Sequence, residues 1–114
     1  MATPLDLNAV IQDIVKGASD QIGKDVTSIA GFSQAQVEGL ARQAQLIAAA
    51  LASGHLNDAD RDFFLEDLKR TAGDFARTVA GLIIVDIEKI WNSAVKALWD
   101  AIGKAAQVAL PKPF

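Results

Sequence analysis

Few residues in this chain have types and spacings that could do chemistry. His55 is the single histidine, and cysteine and tyrosine are absent. A general base needs a nucleophile or acid beside it, and a transition-metal site needs several His, Cys or carboxylate ligands. No Glu-x-x-His pair and no second imidazole exists for such a site. His55 lies in a turn between Gly54 and Leu56, where a protonated ring would interact with the carbonyls that end the preceding helix.

Asp58, Asp60 and Asp62 imitate the first three ligands of a calcium-binding loop. Such a loop then needs glycine at its sixth position and glutamate at its twelfth. Those places hold Phe63 and Lys69, so the acids are read as favourable charge at a helix start. Lys69, Arg70 and Arg77 are the densest basic group, and Glu66, Asp67 and Asp74 offset them. With 11 basic against 14 acidic side chains, net charge −3 and no glycine-rich phosphate loop, no nucleic-acid partner is expected. The chain is expected to be no enzyme, with no cofactor, no metal and no catalytic residue.

The elements around these residues are helical. The chain has 114 residues, is 51% hydrophobic and confines proline to Pro4, Pro111 and Pro113. It is apolar enough to fold as one helical domain covering 1–114. The first helix is predicted over about 4–30, with Thr3 as N-cap, Pro4 in the first turn and Gly31 as stop. Its stripe is Leu7, Ile11, Ile14, Ala18, Ile22, Val26 and Ile29. Gly17 and Gly23 weaken it, or allow a neighbour to approach.

The second helix is predicted over 34–53. Ser33 and Gln36 make a capping box, Phe32 and Val37 a hydrophobic staple, and Gly54 the stop. Its seam is Val37, Leu40, Ala44, Ile47 and Leu51, alternating by three and four. The third helix starts after the N-cap Asn57 and meets no stop before Pro111. Read as one helix over 58–109, it would be roughly 75 Å long, with a tail over 110–114. A kink near Gly73 or Gly81 is the alternative. The fold class is thus all-α, a three-helix antiparallel bundle with a very long third helix.

The second half of that helix has a narrow polar stripe: Asp86, Lys89, Ser93, Lys96, Asp100, Lys104 and Gln107. Asn92 flanks the stripe and Glu88 falls outside it, but most other positions there are apolar, a face wider than the roughly 100° of an ordinary surface helix. Rows of small residues, Ala72-Ala76-Ala80 and Ala97-Ala101-Ala105-Ala109, would let helices approach closely. Two other helices cannot cover so long a surface on both flanks, and large bare apolar patches are rare on soluble monomers. The expected function is therefore that of a non-enzymatic structural or interaction protein that self-assembles, with a homo-oligomer or another helical protein as partner. The expected interface is Val37, Leu40, Ala44 and Ile47 on the second helix, with Ile83, Ile87, Ile90, Trp91, Leu98, Trp99 and Ile102 on the third. Phe114 is a candidate knob after the proline pair.

The alternative is a membrane-active amphipathic protein. Residues 80–110 would then leave the bundle for a membrane surface, with Trp91, Trp99 and the lysines between them as interfacial anchors. The N-terminal residues show no signal-peptide pattern and no apolar run reaches the roughly 20 residues of a span. The expected location is cytoplasmic.

Overall fold

The computed structural model describes residues 5–80 and 84–113, and the side chains of residues 80 and 84–86 lie outside that description. Thr3, Pro4, Gly81, Ile83 and Phe114, named above, also lie outside it. Among the described residues there are four α-helices and no strand: α1 (Leu7–Ile22), α2 (Gln34–Ala52), α3 (Asp58–Ala80) and α4 (Ile84–Ala106).

The first helix is shorter than expected at both ends. Asp6 is its N-cap, its carboxylate accepting from the Ala9 N–H at 3.2 Å. It ends at Gly23, whose φ of 74° is the left-handed value that glycine adopts without steric cost. A short 3₁₀ turn follows over Val26–Ser28, capped by Asp25. The Ser19 hydroxyl ties this turn to α1, donating to the Val15 carbonyl and accepting from the Val26 N–H. Val26 thereby reaches full burial from the turn rather than as the sixth position of a helical stripe. Gly31 is not the helix stop. A Cβ there would stand 2.1 Å from the Thr78 carbonyl oxygen, so its role is close passage against α3.

The Ser33 and Gly54 signals around α2 act as expected, with one change. The Ser33 hydroxyl accepts from the Gln36 N–H at 3.2 Å. The Gln36 amide does not return the bond but reaches the Thr78 hydroxyl on α3, so half of the capping box is spent on a tertiary contact. At the other end Gly54 has a φ of 73°, and the His55 N–H bonds the Ala50 carbonyl while the Gly54 N–H bonds that of Leu51. These two bonds satisfy carbonyls that the helix end leaves open. Asn57 caps α3 by accepting from the Asp60 N–H at 2.8 Å.

The largest correction concerns the long third helix. Asp58–Ala80 and Ile84–Ala106 are two separate helices, and α4 folds back along α3. Gly73 does not kink α3. It is buried inside the helix, where a Cβ would stand 3.1 Å from the Trp91 ring. The register between helices fixes their directions. Gln36 meets Thr78 and Gln43 meets Asp67, so α2 and α3 are antiparallel. Gly17 meets Ser93 and Gly73 meets Trp91, while Leu5 meets Gln45. The four helices therefore run up, down, up and down, with extents of 40 × 25 × 20 Å. α4 packs on α1, α2 and α3. Folding back lets the widest apolar face in the sequence be covered by the chain's own helices.

Candidate functional site

The structure places most of the expected interface residues in the core of the single chain. Val37, Leu40, Ala44 and Ile47 of α2 are buried, as are Ile90, Leu98, Trp99 and Ile102 of α4. Ile87 and Trp91 are half-buried and pack against that core. These side chains come together, but with each other and with α1 and α3. They are not free to meet a partner while the bundle is closed.

Both tryptophans are held by their polar edges. The Trp91 indole N–H donates to the Lys69 carbonyl at 2.8 Å, lying over Gly73, and the Arg77 guanidinium sits 5.8 Å from its ring centre. The Trp99 N–H donates to the Pro111 carbonyl at 3.0 Å. A buried indole needs such a partner.

The apolar surface that remains is elsewhere. Leu46 on α2 is 72% exposed, and on α3 Phe63 is 67% and Phe64 41% exposed. The Gln43–Asp67 hydrogen bond, 3.0 Å long, sets their level. Leu46 lies about one turn beyond Gln43, and Phe63 and Phe64 about one turn before Asp67, so the antiparallel register brings all three to one height. Phe63 and Phe64 stack edge to face with centroids 5.5 Å apart. Along α2 the exposed line continues through Ala35, Gly39, Arg42 and Ala49, in which Arg42 alone is charged. Acids rim the phenylalanines: Asp58, Asp60, Asp62 and Glu66 are exposed.

None of the three was among the expected contact residues. Their signal was in the sequence as a mismatch of phase. Leu46 falls outside the Val37-Leu40-Ala44-Ile47 seam. Phe63 lies about half a turn away from the stripe Leu65, Leu68, Ala72, Phe75, Ala76 and Val79, all of it buried.

The polar candidates are mostly satisfied locally. Arg61 bridges Asp58 and Asp62 at 3.6 and 3.0 Å, Lys69 pairs with Glu66 at 3.0 Å, Arg70 with Asp67, and Arg77 with Asp74 at 2.8 Å. His55 is exposed, with its Nδ1 2.8 Å from the Ser53 hydroxyl, which also reaches the Ala49 and Ala50 carbonyls. That arrangement closes a helix end. Among the described residues no group of three or more His, Cys, Asp or Glu side chains is placed to hold a metal ion. A shallow groove of about 640 Å³ runs between α1 and α4, with Asp6 and Asp13 on one wall, Lys96 and Lys104 on the other and small residues such as Gly17 and Ala101 along it. Among the described residues no helix is long and apolar enough to cross a membrane. No family model, curated protein or solved structure matches the chain.

Proposed function

We propose that this protein is a non-enzymatic interaction module that self-associates through the outer face of the α2–α3 pair. The observation that carries this reading is the exposure of Leu46 and Phe63 at one level of that face, 72% and 67%. Fully burying a leucine or phenylalanine side chain contributes about 1.5–3 kcal/mol, so a two-fold contact that covers both gains twice from each. The α2 line is nearly uncharged, which keeps the desolvation cost of its burial low. Compared with the expectation from sequence, the contact moves from the α2 seam and the apolar face of α4 to the outer residues of α2 and α3. Sedimentation velocity over a dilution series tests it. The expected result is a sedimentation coefficient that rises with concentration. A constant monomer value up to millimolar protein contradicts it.

The membrane-surface reading has less support. For α4 to lie on a bilayer, Ile90, Val95, Leu98 and Ile102 must leave a core in which they are fully buried. The acids around Phe63 and Phe64 would also be repelled by anionic lipid. A blue shift of tryptophan emission on adding phosphatidylcholine or phosphatidylserine vesicles would favour it.

A further inference from the structure

The segment after α4 does not run off into solvent. Gln107 takes a left-handed φ of 57°, and the Val108 N–H bonds the Gly103 carbonyl, which turns the chain back. Val108–Pro113 then forms no helix or turn and lies on the α3–α4 side of the bundle. Two side chains hold it by its backbone carbonyls. The Trp99 indole donates to Pro111 at 3.0 Å, and the Lys69 ammonium donates to Pro113 at 2.8 Å. Just before them Leu110 is half-buried against the core, beside Trp99 at one depression. No backbone hydrogen bond links residues 109–113 to the rest of the described chain.

This is the chemistry by which aromatic-lined grooves bind extended proline-bearing peptides. An indole N–H and a second donor take carbonyls two residues apart, an apolar side chain fills a slot, and the prolines fix an extended backbone that lacks N–H donors. We infer that Trp99, Lys69 and the Leu110 slot form a docking site for an extended Leu-Pro-x-Pro segment of a partner protein, and that residues 110–113 occupy it in cis. The resident segment then sets a threshold, because a tethered ligand competes at a high effective concentration. Lys69 shares a depression with Phe63, but the contacts that hold the segment do not depend on self-association.

The test uses the full chain. Leu110→Glu empties the slot and releases the segment without shortening the protein. A fluorescein-labelled peptide with the sequence of residues 108–114 is then titrated in trans and followed by anisotropy. The Leu110→Glu chain is expected to bind it saturably, and the wild type on the order of tenfold more weakly or less. Adding Trp99→Phe to Leu110→Glu is expected to weaken binding about fivefold through loss of one hydrogen bond. Absence of binding to the released chain, equal binding to both chains, or indifference to Trp99→Phe would overturn the site. So would loss of helical circular dichroism in Leu110→Glu, since the segment would then be core rather than occupant. Independently, Leu110→Glu should shift the indole N–H resonance of Trp99, and excess peptide should return it toward its wild-type position, while that of Trp91 stays in place. Movement of both or neither contradicts the proposal.

Discussion

α4 and the outer face of the α2–α3 pair treat their apolar residues in opposite ways. On α4, Ile90, Ala94, Val95, Leu98 and Ile102 are fully buried, whereas Leu46 and Phe63 on the outer face remain mostly in water. The α4 sequence is far richer in apolar residues, yet it is the outer face that is left uncovered. The difference lies in position. α4 folds back between neighbours and packs on the other three helices, while the outer line of α2 and the Phe63 side of α3 stay exposed. How apolar a helix is says how much cover it needs. Only the path of the chain says whether the chain supplies it.

The comparison can be broken hardest at Ile90. An Ile90→Asp substitution places an unpaired carboxylate at a fully buried site and should cost about 3–5 kcal/mol, unfolding the chain rather than only separating copies. Chemical denaturation followed by circular dichroism reads it. A folded variant with unchanged midpoint would mean that α4 is not central. Gly31→Ala comes next, because its Cβ would meet the Thr78 carbonyl of α3, which is backbone and cannot rotate away. A loss of about 1–3 kcal/mol is expected in the same assay. Gly39 is the contrast on the outer face: nothing lies within 4 Å of a Cβ there. Gly39→Ala should therefore raise stability by about 0.5–1 kcal/mol through helix propensity alone.

The smallest effect on folding is expected where the effect on association is largest. Leu46→Glu with Phe63→Glu alters exposed side chains and should leave the denaturation midpoint within about 0.5 kcal/mol per site. Asp25 adds a weak acid-limb effect. Hydrogen bonds from the Thr27 hydroxyl and N–H hold its carboxyl below the ordinary value of 3.8. Because the folded value is the lower one, its stabilisation is full above about pH 4 and fades as pH falls through the depressed value. Asp25→Asn should flatten that part of the acid titration of stability and leave neutral pH unchanged apart from the altered cap.

Much of the fold was legible from local signals. Ser33, Gly54 and Asn57 bound their helices as their residue types imply, because caps are local chemistry that tertiary contacts rarely override. The buried stripes of α2 and α3 follow the three-four spacing of their apolar residues. What the sequence hid was tertiary. Between Asn57 and Pro111 the sequence holds no stop stronger than an isolated glycine, so it favours one helix, with a kink near Gly73 or Gly81 as the alternative. The end of α1 was missed because Val26 and Ile29 continue its periodicity, although Gly23 and Asp25 carry the stop and the next cap. The glycines were informative in kind but not in assignment. Gly31 and Gly73 mark close approaches, to Thr78 and Trp91, that no spacing along one helix can show. The outer face was overlooked for the same reason. Leu46 and Phe63 differ from core residues only in phase, and phase has meaning once the direction of the core is known.

The central claim is that the outer α2–α3 face, and not α4, joins one copy to another. Light scattering on a size-exclusion column, comparing wild type with the Leu46→Glu/Phe63→Glu chain at high protein concentration, tests it most directly. The account predicts a wild-type mass above 12.1 kDa and a folded double variant at 12.1 kDa. A wild type already at 12.1 kDa, or a double variant that keeps the wild-type mass, would contradict it.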